Sequence, residues 1–331
     1  MKAKIDIISG FLGSGKTTLI KKLISEKLHK ERLVLIENEF GEVGIDGTIL
    51  KESNLEIKEI NSGCICCTLT GDFEKAIEEV VSTFCPERII IEPSGVGKLS
   101  DVVRACKSPG LKDKVVINIL ITVVDLSRFH LYISNFSEFY KNQIEYAKTI
   151  ILSRTKSTPA DKSGMAIKAI RQLNGAANII STPWDEISAE RIISVAEQRH
   201  NSLENELIDT HKDITGCHIC HEGHHEHHEH HEHPHKHSAD EVFDVIGVET
   251  HVVYTKAGIE KALASLENQD SYGMVLRAKG IIQVEDGRWI QFDYVPGEYK
   301  TNSVAADYTG RLAVIGRRLN KENIGKLFEV P

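Results

Sequence analysis

The sequence predicts an α/β fold built on a doubly wound, mainly parallel sheet, followed by a small α+β domain. Three observations carry this. A glycine-rich loop sits between a β-branched run and an amphipathic stretch, short apolar runs then alternate with helical patterns, and beyond residue 240 strand-like segments gather around two helical stretches. With 331 residues the chain is long enough for a sizeable core and two domains. Apolar residues at 41% and charged residues at 27% describe a soluble protein with no membrane span, and a formal net charge of -8 argues against nucleic acid as a partner. Met1-Lys2-Ala3-Lys4-Ile5-Asp6 enters a short apolar run broken by an aspartate, which reads as a first strand and not a secretory leader, so a cytoplasmic setting with reduced thiols is expected.

The first strand, Ile5 to Ser9, feeds into Gly10-Phe11-Leu12-Gly13-Ser14-Gly15-Lys16-Thr17, and an amphipathic helix follows from about Thr18 to Leu28. Glycines let the backbone curl so that successive N–H groups point inward, an anion nest at the positive end of a helix. Strand, loop and helix together form a P-loop for a nucleoside triphosphate, with Gly10, Gly13, Ser14, Gly15, Lys16, Thr17 and Thr18 as its binding residues. Lys16 reaches the β- and γ-phosphates as a mobile point charge, and the Thr17 hydroxyl is placed to ligate Mg2+.

Leu33 to Ile36 is a second buried strand whose exit carries Glu37, Asn38, Glu39, Phe40, Gly41 and Glu42. Ligands in open α/β sheets bind outside the carboxyl ends of strands, so Glu37, Glu39 and Glu42 can approach Mg2+ or a second metal, an exposed acidic loop being the alternative. A third strand, Arg88 to Ile91, ends in Glu92-Pro93-Ser94-Gly95 and resembles the second signature of nucleoside triphosphatases. Glu92 would orient water or Mg2+ and the Gly95 N–H would register a γ-phosphate; a plain turn cap is the other reading of Glu92. Strands at Val116 to Val124, ending in Asp125, at Lys148 to Leu152 and at Asn178 to Ser181 complete the alternation.

Seven cysteines are present. Cys85 and Cys106 stand singly and read as small apolar packing residues. Cys64, Cys66 and Cys67 fall within four consecutive positions, where thiolates suit a soft or borderline cation such as zinc, with further ligands from elsewhere. A second metal-rich stretch runs from His211 to His237. Its Cys217, His218, Cys220, His221, His224, His225, His227, His228, His230 and His231 make weak, overlapping sites for divalent transition metals, or else a solvated spacer. Ligation needs neutral imidazole, so loading of this stretch is expected to weaken below about pH 6. The composition divides the chain into a nucleotide-binding domain at 1–205, a His-rich linker at 206–240 and a C-terminal domain at 241–331.

In the last part, Phe243 to Tyr254 alternates like a strand and Lys256 to Glu267 forms a helix. Met274 to Val284 and Trp289 to Tyr294 make a hairpin across Glu285-Asp286-Gly287-Arg288, and a strand at Leu312 to Ile315 precedes a short helix near Asn320. No catalytic cluster stands out there, and no arginine finger is evident anywhere in the chain.

Gly10 to Thr17, Glu37 to Glu42, Gly63-Cys64-Ile65-Cys66-Cys67 and Glu92 to Gly95 occur together and in order, and Gly310 to Gly316 matches a second domain. In these motifs the chain resembles the CobW-like metal-chaperone GTPases, which include UreG- and HypB-type proteins. The resemblance implies GTP hydrolysis with Mg2+, with Lys16 and Glu92 as catalytic groups, coupled to delivery of Zn2+, Co2+ or Ni2+ to a client metalloprotein or metal-dependent enzyme; with no arginine finger evident, slow hydrolysis is expected. It gives Cys64, Cys66 and Cys67, with Glu37 and Glu42, as ligands of the carried ion, makes the last domain a client surface and leaves a homodimer open. One stretch departs from the family: Ser153-Arg154-Thr155-Lys156 stands where Asn-Lys-x-Asp is usual. Ser153 and Arg154 remain nucleotide-binding candidates, Arg154 lying along the base as the lysine does, but Lys156 offers guanine no acceptor. ATP therefore stays open beside GTP, and Asp161 or Asp185 are candidate replacements. A His-rich metal-storage protein with a structural nucleotide site is the competing function.

Overall fold

The computed structural model describes residues 2–37, 56–59, 70–198, 242–250, 252–304 and 310–329. Its first sheet has seven strands in the order β3-β2-β4-β1-β5-β6-β7, formed by β1 (Ala3–Gly10), β2 (Leu33–Glu37), β3 (Glu56–Glu59), β4 (Arg88–Glu92), β5 (Val115–Asp125), β6 (Thr149–Ser153) and β7 (Asn178–Ile180). Every pairing is parallel.

The unbroken apolar runs of these strands follow from burial on both faces. Successive side chains point to opposite sides, so Ile5, Ile7, Val34, Ile36, Ile89 and Ile91 enter one core while Ile8, Leu33, Leu35 and Ile90 enter the other. The second core is closed by α1 (Lys16–Glu26), through Leu19, Ile20, Leu23 and Ile24, and by a helix at Ala189–Ala196. Helices at Thr70–Phe84, Leu99–Cys106, Phe129–Asn135, Ser137–Glu145 and Ala160–Leu173 close the first. The chain leaves β1 toward β2 and later crosses from β4 to β5 on the other side of β1. The crevice outside the end of β1 is therefore the switch point where such sheets bind ligands.

The second sheet is antiparallel along its main path, in the order β12-β11-β10-β13-β8, with β8 at Asp244–Thr250, β10 at Met274–Val284, β11 at Trp289–Val295, β12 at Glu298–Val304 and β13 at Gly310–Arg317. A short strand, β9 (Val253–Tyr254), pairs parallel with β10. The expected hairpin across 285–288 is present. Phe292, Tyr294, Ala278, Leu312 and Val314 pack beneath the helices at Lys256–Ser265 and Lys321–Leu327, through Ile259, Leu263 and Ile324, in a core of their own.

The two sheets are also joined by apolar contacts. Phe243, just ahead of β8, stacks on Phe136 at 5.2 Å between ring centroids and lies 5.4 Å from Phe139 and 6.1 Å from Phe11. Leu276 and Ile315 of the second sheet join the same core. Large-to-small substitution of a buried aromatic costs about 3 to 5 kcal/mol. Phe243→Ala is expected to lower unfolding stability by about 3 kcal/mol in urea titration and to loosen the docking of the second sheet.

Candidate nucleotide site

The P-loop is held in place from behind. Gly10 and Gly13 take φ values of 148° and 67°, conformations that a side chain disfavours. A Cβ at Gly10 would lie 2.5 Å from the Val123 carbonyl oxygen, and one at Gly13 would lie 2.2 Å from Val295 Cγ1 of the second sheet. Phe11, fully buried, anchors the loop among Tyr132, Phe136 and Tyr140 at 4.6, 5.4 and 5.6 Å, and the Tyr132 hydroxyl donates to the Leu12 carbonyl at 3.4 Å. Helix α1 then starts at Lys16.

At the head of α1 the Thr17 hydroxyl donates to both Glu92 carboxylate oxygens, at 3.0 and 3.2 Å, and Lys16 Nζ stands 3.9 Å from Glu92 Oε1. Lys16 and Glu92 are buried, and Glu37 is buried beside them, in register with Glu92 on the adjacent strand. A hydroxyl and a carboxylate are hard oxygen donors, the set that suits Mg2+, so Thr17 and Glu92 fit such an ion. Gly95 lies against the P-loop, since a Cβ there would meet the Leu12 backbone nitrogen at 2.9 Å, and the buried Gln143 fixes the Gly95 carbonyl at 3.1 Å.

On the other side of the loop, Ser153 is buried with its hydroxyl 3.5 Å from the Val124 carbonyl. Arg154 adopts φ 56° and its guanidinium donates to the Gly13 carbonyl at 3.1 Å, to Asp125 Oδ2 at 2.7 Å and to Glu298 Oε2 of the second sheet at 2.9 and 3.1 Å. Arg128 donates to the same Asp125 carboxylate at 2.7 Å and to the Pro296 carbonyl at 2.7 and 2.9 Å. The tip of the β11–β12 hairpin, Pro296-Gly297, is thus clamped onto the P-loop. Lys156 pairs with Asp185 at 2.5 Å and Glu186 at 2.8 Å on the surface, so two carboxylates stand beside the position that lacks one. Trp184 covers Gly15, with a ring carbon 2.7 Å from where a Cβ would be. Asp161 lies in the first turn of the helix at Ala160–Leu173.

A cavity of about 270 Å³ opens between the loop and the second sheet. Gly13, Gly15, Lys16, Thr17, Thr18, Lys21, Glu92 and Arg154 line one wall, and Arg277, Gln291, Asp293, Val295, Glu298, Lys300 and Asn302 line the other. Gly10, Ser14, Gly95 and Ser153 do not line it. The second wall was not visible as a site in the sequence. Its only signal there is polar residues at alternate positions, Gln291 and Asp293 in one strand and Glu298, Lys300 and Asn302 in the next.

Cys64, Cys66, Cys67, Glu39 and Glu42 lie outside the described residues, as do Cys217, His218, Cys220, His221, His224, His225, His227, His228, His230 and His231. Among the described residues no group of three or more His, Cys, Asp and Glu is arranged to hold a metal, and no helix is long and apolar enough to cross a membrane. The expectation that Cys85 packs inside is corrected: it is exposed at the end of a helix with φ 45°, whereas Cys106 is buried and its thiol is pushed up to about 12 by burial.

A glycine-rich loop at the switch point of a parallel sheet, with a lysine, a threonine and a strand-end carboxylate converging on one cavity, defines a P-loop nucleotide-binding protein. The chain belongs to the CobW/HypB/UreG family, whose nucleotide-binding domain model matches residues 4–181, and the cobalamin synthesis protein cobW C-terminal domain matches residues 246–330. It is similar to the zinc chaperone YeiR of Escherichia coli, 31% identical over 172 residues that cover 52% of each chain. It is also similar to the zinc chaperone CobW of a Sinorhizobium species, 29% identical over 252 residues covering 63% of this chain and 70% of that one. The zinc-regulated GTPase metalloprotein activator 1 of Schizosaccharomyces pombe is 23% identical over 353 residues, covering 96% and 83%. The match to YeiR thus spans about half the length of that relative.

Burial tends to raise the Glu298 carboxyl, but the charge of Arg154 and hydrogen bonds from Arg154 and Lys300 outweigh it and hold the group below its ordinary value of 4.5. A depressed carboxylate contributes stability above its unfolded value, which is lost as pH falls through the folded one. Glu298→Gln is therefore expected to lower the unfolding midpoint near neutral pH, and its difference from wild type to shrink below about pH 4.5 in thermal unfolding followed by circular dichroism.

Proposed function

We propose that the chain is a nucleotide-switched metal chaperone that binds and slowly hydrolyses GTP and passes Zn2+ from Cys64, Cys66 and Cys67 to a client metalloprotein in the cytoplasm. The observation that carries this reading is the pairing of Glu92 with Thr17 and Lys16 directly beside Glu37. One carboxylate faces the nucleotide cavity. The other stands at the strand end from which the chain continues to Glu39, Glu42 and the three cysteines. In this reading residues 1–205 are the nucleotide domain, 206–240 a metal-collecting linker and 241–331 the second domain. The names of the relatives, zinc chaperones and a zinc-regulated GTPase, support zinc and GTP.

Lys16 neutralises the β- and γ-phosphates, Glu92 orients the attacking water, and the Gly95 amide registers the γ-phosphate. Mg2+, when bound, stabilises the charge that builds on the phosphates; Thr17 and Glu92 would hold it. A change in the Glu92 end of β4 on hydrolysis is passed to Glu37 on the neighbouring strand and so to the cargo ligands. Moving a two-state element from 1:99 to 99:1 takes about 5.5 kcal/mol, within reach of the contacts a γ-phosphate makes or loses. Zinc held by thiolates would otherwise be released too slowly for delivery.

Two measurements test this. Metal analysis of protein lacking residues 211–237 is expected to leave one tight zinc equivalent, removed by combined Cys→Ser substitution at 64, 66 and 67; loss of all zinc with the deletion alone would favour storage in the His-rich run. Zinc affinity is expected to differ by about tenfold or more between the GTP- and GDP-bound protein, a typical coupling free energy. Equal affinity in the two states would end the switching model. Lys16→Ala should abolish both hydrolysis and the nucleotide dependence.

A further inference from the structure

We infer that the polar face of the second sheet is the other half of the nucleotide site and that Arg277 and Lys300 are nucleotide-contacting cations supplied by the C-terminal region. The inference rests on the nucleotide reading given above and extends it to residues outside the P-loop domain.

Pairing register places this face. Asp293 stands opposite Lys300, Val295 opposite Glu298 and Gln291 opposite Asn302, and all six line the cavity that also holds Lys16 and Thr17. The residues alternating with them, Ile290, Phe292 and Tyr294, turn the other way into the second sheet's own core. The sheet is thus apolar toward its helices and charged toward the P-loop. At Phe243, Leu276 and Ile315 the same region meets the first domain through apolar side chains, whereas across the cavity it presents charged ones.

Its seating is fixed by Arg154 and Arg128, and Arg154 also holds the P-loop at the Gly13 carbonyl. The Arg154–Glu298 pair and the Arg128 bonds to the Pro296 carbonyl hold the hairpin tip, and Val295 fills the space that the missing Cβ of Gly13 leaves. Arg277, largely buried, is oriented by Asp293 Oδ2 at 3.1 Å, and Lys300 lies beside Glu298 at 3.2 Å. With Lys16, Lys21 and Arg154 they make five cations facing three carboxylates, Glu92, Asp293 and Glu298. Such a balance suits a polyanion of the nucleoside triphosphate class. A guanidinium set by a carboxylate is preorganised to take phosphate oxygens in a fork, and at this depth the interaction is weakly screened.

The test is calorimetric binding of Mg·GTP and Mg·GDP to the full chain and to Arg277→Ala, Arg277→Lys, Lys300→Ala and Lys16→Ala. Loss of a hydrogen bond to a charged group predicts that Arg277→Ala weakens GTP binding about tenfold to a hundredfold, with partial recovery in Arg277→Lys. Lys300→Ala, a change at an exposed side chain that threatens the fold least, should weaken GTP severalfold and more than it weakens GDP. If Lys16→Ala abolishes binding while the Arg277 and Lys300 variants bind both nucleotides like wild type, the second wall is only structural and this inference falls alone. If the wild-type chain binds neither nucleotide, the proposed function falls with it. Should Arg277→Ala fail to fold, Lys300→Ala decides by itself: weakened GTP binding upholds the inference and wild-type binding overturns it.

Discussion

The guanidinium of Arg154 is the joint on which the arrangement turns. It reaches the P-loop at the Gly13 carbonyl, the end of β5 at Asp125 and the second sheet at Glu298. A planar fork with five donors can span three acceptors that a lysine ammonium, a compact point charge, would serve one at a time. The left-handed backbone at Arg154 costs on the order of 1 kcal/mol in a non-glycine residue and persists because these bonds over-determine it. Asp125 is almost wholly buried yet shared by Arg154 and Arg128, so the charge that desolvation penalises is answered from two sides.

Much of the first sheet is legible in the sequence because its strands are buried on both faces and so read as unbroken β-branched runs, Arg88-Ile89-Ile90-Ile91 being the plainest. The strands that the sequence does not betray, Glu56–Glu59 and Glu298–Val304, are edge strands. Glu298-Tyr-Lys-Thr-Asn-Ser-Val has no apolar face to mark it, and it becomes a strand because β11 offers a ladder. The P-loop was readable since its parts are contiguous and their spacing is set by covalent geometry. The second wall was not, since nothing local tells which surface the polar side of β11 and β12 will meet. Cys85 shows the same limit: a lone cysteine after an amphipathic helix looks like packing until the chain is seen to turn outward there.

Two carboxylates in register at neighbouring strand ends, Glu37 and Glu92, stand one interstrand spacing apart, so the proposed coupling of nucleotide to cargo has a short distance to cover. Gln143 donates to the Gly95 and Gly97 carbonyls at 3.1 and 2.8 Å, which stiffens the turn that follows Glu92.

Phe243 has a consequence beyond packing. Gln198 follows the helix at Ala189–Ala196 that packs on the first sheet, and the next described residues, from Val242, put the Phe243 ring among Phe11, Phe136 and Phe139. Both ends of the histidine-bearing stretch are therefore moored to the body that carries the P-loop. Attachment at both ends makes any encounter of the intervening residues with that body intramolecular, at an effective concentration set by linker length and stiffness, on the order of millimolar for short flexible linkers, and not by how dilute the protein is.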